Sequence, residues 1–165
     1  MTYVRYIDRT TSYYRSQGYE KDYTWAHYAD VPFVALPKPL KDCRVALVTT
    51  SDVRVRGATG EAAGGGGEGM VGNAYSFPSD TPVEQLYSAQ EHFDAHATHI
   101  DDVNTYFPIA PLRTLLAEGR FASLAPRCHG LFTSYSIRKT LDKDAPEVLA
   151  RCRQDEVDAV LLTPV

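Results

Sequence analysis

Val157-Asp-Ala-Val-Leu-Leu-Thr-Pro-Val165 is the stretch on which the fold turns. Val157, Ala159, Val160, Leu161 and Leu162 make a near-continuous apolar run. A strand with one face in water alternates apolar and polar residues; a run of this kind suits a strand buried on both faces of a parallel sheet. In open α/β sheets, ligands and catalytic groups collect just past the carboxyl ends of such strands. The sequence stops there, so the expectation is the front part of a protein whose reactive residues follow Val165.

Upstream, Arg44-Val-Ala-Leu-Val-Thr-Thr50 is the clearest strand, short, apolar and β-branched, with Ser51 and Asp52 at its carboxyl end. Thr81 as cap, Pro82 at the first position and Glu84 at the third predict a short helix to about His92. Ile109, Leu112, Leu115 and Leu116 form one stripe of a helix from Pro108 to Gly119. His129 to Tyr135 suits a strand or a turn, and Pro146 to Gln154 a third helix running into the final strand. This alternation predicts a layered, Rossmann-like α/β domain with a mostly parallel sheet, incomplete at its C-terminus. It spans residues 41–165 and carries a flexible glycine-rich insertion at 56–73. Gly64, Gly66, Gly69 and Gly67, Gly69, Gly72 match Gly-x-Gly-x-x-Gly in form. A dinucleotide fingerprint needs its glycines directly after the strand and opening a helix, so low complexity accounts for the match and no cofactor site is expected.

Residues 1–40 form a tyrosine-rich arm expected to pack on the domain or on a partner. Tyr6, Tyr13 and Tyr14 fit a helical face over Val4 to Gln17, ended by Gly18; core aromatics with hydroxyls at the surface are the simplest expectation for them. Pro32, Pro37 and Pro39 then impose an extended path.

The formal charge of −4 and the lack of a Lys/Arg stripe argue against a nucleic-acid partner. No apolar run approaches the roughly 20 residues of a membrane span. Charges stand where a signal peptide needs apolar residues, so a cytoplasmic location is expected. Cys43, Cys128 and Cys152 form no Cys-x-x-Cys pair and suit small buried hydrophobes.

The densest polar constellation is His92, His96 and His99 with Asp94, Asp101 and Asp102. On a helix the three histidines fall at i, i+4 and i+7, a usable metal spacing, although the Glu of His-Glu-x-x-His is missing. The alternatives are a solvated helix end, or side chains lining a pocket for a small charged substrate. Asn104 could brace the loop before Pro108 by Asx-type bonding. No Ser-His-Asp order, nucleophile elbow or P-loop is visible. No catalytic residue is therefore assigned within the chain.

Tyr6-Ile-Asp-Arg-Thr-Thr-Ser-Tyr-Tyr-Arg15, Gly18-Tyr-Glu20, Trp25-Ala-His27, Val31-Pro-Phe33 and Lys38-Pro-Leu40 resemble the opening of the selenoprotein B family of glycine, sarcosine, betaine and D-proline reductases. Val45 to Thr50 looks like its first strand. His92-Phe-Asp94, Asp101-Asp-Val-Asn104 and Pro108 to Gly119 are similar to its central block. Val157 to Val165 resembles the strand that leads to its selenocysteine (or cysteine) motif; the glycine-rich tract departs from the pattern. The resemblance implies reductive cleavage of a carbon–nitrogen bond by a selenolate just beyond Val165. It also implies a thioredoxin-type reductant, partner subunits of a reductase complex, and no cofactor within this chain. His92, Asp94, Asp102 and Asn104, with Ser51 and Asp52, are the expected substrate-pocket residues, orienting and polarising the substrate. The competing readings are a non-catalytic assembly module using the tyrosine-rich arm, and a metal-dependent hydrolase using His92, His96 and His99. Val160 and Leu162, left uncovered, predict a homo-oligomeric product, since burying such side chains is worth roughly 1.5–3 kcal/mol each.

Overall fold

The computed structural model describes residues 5–22, 26–31, 34–63, 74–90, 99–132 and 136–164. The chain divides into two units, Met1–Phe33 and Val34–Val165. In the first, helix α1 (Tyr6–Ser16) ends as its sequence predicts: Gly18 takes a left-handed φ of +89°. Its N–H donates to the Arg15 carbonyl while Tyr19 N–H donates to that of Tyr14, the paired closure of a Schellman motif. Arg15 pairs with Asp22 at 2.5 Å. The expectation of core aromatics fails here. Tyr6, Tyr13 and Tyr14 are exposed, and α1 buries no residue. The rings pack on each other instead, Tyr13 on Tyr14 at 5.6 Å and Tyr14 on Tyr19 at 5.5 Å, both edge to face.

In the second unit the strands are β1 (Arg44–Thr49), β2 (Val53–Val55), β3 (Ala74–Pro78), β4 (Leu86–Ser88), β5 (Ser123–Leu124), β6 (Arg127–Leu131) and β7 (Ala159–Thr163). The helices are α2 (Ile109–Ala117), the single turn α3 (Ile137–Lys139) and α4 (Ala145–Gln154), the last two joined by a π-helical turn over Thr140–Asp144. β1 is the central strand. On one side it pairs in parallel with β5 and then with β6, Arg44 opposite Ser123 and Val48 opposite His129. Between those two pieces stand Ala125 and Pro126; the proline has no N–H to donate, so the lane breaks there. On the other side β7 lies parallel to β1 over its full length, and β3 closes the far edge antiparallel to β6. The mostly parallel, layered α/β arrangement is the one expected from the sequence.

Side chains alternate across the sheet. Leu47, Phe77 and Cys128 pack on one face with Phe107 and Ile109, where Val45 also meets Leu112 of α2. Ala46, Val48 and Ala74 pack on the other with Val148 and Cys152 of α4. Cys43, Cys128 and Cys152 are all buried free thiols, and burial pushes that of Cys128 up to about 12.

Two expectations need correction. The helix predicted from Thr81 to about His92 is a single 3-10 turn over Val83–Gln85, followed at once by β4. Pro82 is extended at ψ 136°, and Thr81 donates its hydroxyl back to the Pro78 carbonyl at 2.7 Å instead of capping a helix. Pairing of Leu86–Ser88 with β2, and burial of Leu86, override the local helix signal. Nor is β7 buried on both faces. Among the described residues it pairs with β1 alone, and Val160, Leu161 and Leu162 are 43%, 40% and 67% exposed. No described helix is long and apolar enough to cross a membrane.

Gly130 faces Tyr75 across β6 and β3, and a Cβ at this position would collide with the Cζ–Oη end of the Tyr75 side chain. Gly130→Ala should therefore lower stability by about 1–3 kcal/mol in urea titrations. The same change in a Tyr75→Ala background should cost clearly less; equal costs in both would show that the ring is not what excludes the methyl group.

Candidate functional site

The carboxyl ends of β1 and β7 are tied by hydroxyl groups. Thr49 Oγ1 donates to the Thr163 carbonyl at 3.1 Å, and Thr50 N–H reaches the same carbonyl at 3.4 Å. Ser51 Oγ lies 2.6 Å from Thr49 Oγ1; with the Thr49 proton already committed, Ser51 is the donor. Ser51 N–H also donates to Thr49 Oγ1 at 3.1 Å. Ser88 Oγ donates to the Ser51 carbonyl at 2.5 Å and accepts from Gln90 N–H at 3.0 Å, joining β4 to the same edge.

Asp52 follows, buried and with φ +49°, a left-handed conformation that costs a non-glycine residue on the order of 1–3 kcal/mol. Its carboxylate accepts from Arg54 Nη2 at 2.9 Å and Nε at 3.3 Å. The guanidinium, about a third exposed, keeps Asp52 from being an unpaired buried charge. Ser51 and Asp52 thus stand together just past the carboxyl end of β1, the position expected from the sequence.

The other expected pocket residues divide. Asp102 Oδ1 accepts from Asn104 N–H at 2.9 Å and from Asn104 Nδ2 at 3.1 Å; Asn104 Oδ1 accepts from Ala110 N–H at 3.1 Å. Both side chains brace the entry to α2, as foreseen for Asn104, but the Asx-type bond belongs to Asp102, and Asn104 reaches six residues on to Ala110. His92, Asp94 and His96 lie outside the described residues, and His99 is exposed. Among the described residues no three His, Cys, Asp or Glu side chains are placed to hold a metal.

Sequence reasoning missed a second polar cluster, under α4. His129 is fully buried, with Nδ1 2.9 Å from Ser76 Oγ and Nε2 3.5 Å from Asp155 Oδ2. Arg151 Nη1 donates to Ser76 Oγ at 2.6 Å, and its guanidinium also pairs with Glu61 and Glu147. Arg127 grips Asp155 through Nε and Nη2, the latter at 2.8 Å. Because Arg151 already donates to Ser76 Oγ, the serine proton is directed at His129 Nδ1, which then accepts as a neutral imidazole. Burial pushes the His129 pKa down to about 4; Asp155 partly opposes this, and Arg127 and Arg151 reinforce it. Ser76, His129 and Asp155 come from two strands and a helix end, so no local motif announces them.

Comparison with known proteins gives one relationship. Over 130 residues, 76% of its length, the chain is 32% identical to D-proline reductase subunit gamma of Acetoanaerobium sticklandii. The chain spans about half the length of that curated relative, the match taking in 50% of it. The relationship supports a place near the proline and glycine reductases, the coarser part of the resemblance read from the sequence. No family profile and no solved structure matches the chain.

The buried imidazole predicts a pH dependence. An unfolded histidine takes up its proton near pH 6.5, whereas native His129 does so only near 4. Between those values the unfolded chain binds the extra proton, so stability is full above the upper one and falls as pH drops toward the lower. The ceiling on the loss is about 3 kcal/mol. Urea unfolding across this window should show the decline, and His129→Gln should flatten it; an unchanged slope in the variant would remove His129 as the cause.

Proposed function

We propose that the chain is the N-terminal part of a selenoprotein-B-like reductase that cleaves a carbon–nitrogen bond of a small amino compound of the glycine, betaine, sarcosine or proline type. The observation that carries this is the similarity to D-proline reductase subunit gamma over 130 residues. The described fold supports it: β7 runs parallel to β1 and brings Thr163 to the edge where Thr49, Ser51 and Asp52 gather. A selenocysteine or cysteine directly after Val165 then enters the crevice at the carboxyl edge.

The chemistry balances with a dithiol as reductant. The selenolate attacks the carbon that bears nitrogen; the carbon–selenium bond forms as the carbon–nitrogen bond breaks, and the departing amine takes a proton. A thioredoxin-type dithiol then supplies two electrons and two protons. It ends as a disulfide, leaving a C–H bond on the product and a free selenol on the protein. Ser51 and Asp52, buried and bonded to Thr49 and Arg54, support the carboxyl edge from beneath and orient the groups above it. Asp102 and Asn104 hold the α2 entry loop, to which His92 and Asp94 connect in sequence. Partner subunits and a cytoplasmic location belong to the same proposal. A second reading, a binding or assembly module, is favoured by the exposed Tyr6, Tyr13 and Tyr14 of α1.

A protein extended past Val165 with its selenocysteine or cysteine should, when supplied with a dithiol, release amine from glycine, sarcosine or betaine or convert D-proline to its ring-opened ω-amino acid. The chain of 165 residues should do neither. Failure of the extended protein on all four, together with a stable complex lacking turnover, would favour the assembly module.

A further inference from the structure

The ribbon of β2 and β4 carries a feature that the crevice chemistry leaves unused. Its inward side chains, Val53, Val55 and Leu86, join the hydrophobic core. On the other side Arg54 stands directly opposite Tyr87. Arg56, two residues on and still paired through its N–H to the Gln85 carbonyl at 2.8 Å, points the same way. Its guanidinium lies over the Tyr87 ring, 4.6 Å from the centroid. A guanidinium stacked on an aromatic face has its plane occupied while its N–H edge stays free, the geometry that receives a carboxylate with two parallel hydrogen bonds.

Among the described residues no carboxylate pairs with Arg56, in contrast to Arg54, Arg127 and Arg151. Arg54 is itself aimed from behind by buried Asp52, on the strained turn that leaves β1. Two guanidiniums and a phenol therefore share one ribbon face. That ribbon is bonded to the residues that follow β1 through Ser88 and the Ser51 carbonyl, and through Ala89 N–H and the Asp52 carbonyl at 3.4 Å.

We infer that Arg56, stacked on Tyr87 and flanked by Arg54, binds the carboxylate of a small amino-acid substrate. The inference rests on the reductase reading, since the compounds named there share a carboxylate. Arg56 and Arg54 make the contacts with the ligand; Asp52 and Tyr87 are positioning residues that orient the two guanidiniums.

Calorimetric titration of the chain with D-proline, D-prolinamide and inorganic phosphate tests this. D-proline should bind, and D-prolinamide, which lacks the anionic group, about tenfold more weakly or worse. Arg56→Gln should weaken D-proline about tenfold while leaving the melting temperature in place, because the side chain is exposed. Arg54→Gln alone would strand buried Asp52, so it is made together with Asp52→Asn and should weaken D-proline further. Equal affinity for acid and amide, or unchanged affinity in Arg56→Gln, would overturn the proposal. So would phosphate binding that depends on Arg56 while D-proline binding does not, which would make the face a general anion site. No saturable D-proline binding up to about 10 mM, well past a millimolar-class Kd, would overturn it as well. Turnover by the extended protein in that last case would leave the reductase reading standing, so the two failures are separable.

Discussion

The register of β7 on β1 is the constraint on which the site depends. It is fixed at both ends. At the amino end the Asp158 carboxylate accepts from Arg44 N–H at 2.7 Å and pairs with Lys38 at 2.8 Å, while Asp158 N–H donates to the Arg44 carbonyl at 2.9 Å. Lys38 and the Arg44 amide hold that carboxyl below its usual range. At the carboxyl end the Thr49 hydroxyl and the Thr50 amide close on the Thr163 carbonyl. A slip of one residue would break both closures and turn Val160 and Leu162 to the opposite face. Held in this register, Thr163 emerges at the carboxyl end of β1, beside Thr49, Thr50 and Ser51.

The two faces of the sheet do different work. The α2 face is apolar and aromatic, built from Leu47, Phe77, Phe107 and Ile109. The α4 face mixes small apolar residues with the network of Ser76, His129, Asp155, Arg127 and Arg151. That network fastens β3 and β6 to the end of α4, the helix that hands the chain to β7. It resembles a nucleophile–imidazole–carboxylate relay only in composition. Ser76 and Asp155 are both under a tenth exposed and His129 not at all, and the serine oxygen is already bonded by Arg151. The hydrogen bonds it makes hold elements together, while His129 Nε2, 3.5 Å from Asp155, makes none among the described residues.

What the sequence made legible follows from how local each signal is. β1, α2 with its Gly119 stop, and α4 each carry their pattern within a dozen residues, and each forms as expected. The turn at Val83–Gln85 carries a misleading local signal, since Thr81, Pro82 and Glu84 match a helix start while the deciding partner, β2, lies some thirty residues earlier in the chain. Apolar content alone does not tell a central strand from an uncovered edge, so the sequence of β7 signals a place in the sheet but not the exposure of Val160, Leu161 and Leu162. The position of Ser51 and Asp52 past β1 is legible because the end of a parallel strand is predictable. The contact of Arg56 with Tyr87 is not, because the ring comes from another strand. The Gly130–Tyr75 fit is likewise invisible until β3 and β6 are paired.

The central claim is that β7 delivers a selenium or sulfur nucleophile to the crevice at the carboxyl edge. Mass spectrometry of the protein isolated from its own source tests it most directly, on the peptide that contains Leu162-Thr-Pro-Val165. A peptide that runs on past Val165 with a selenium isotope envelope, or with cysteine at the next position, is the result predicted. A peptide that continues with neither, or that has Val165 as the native carboxyl terminus, would contradict it.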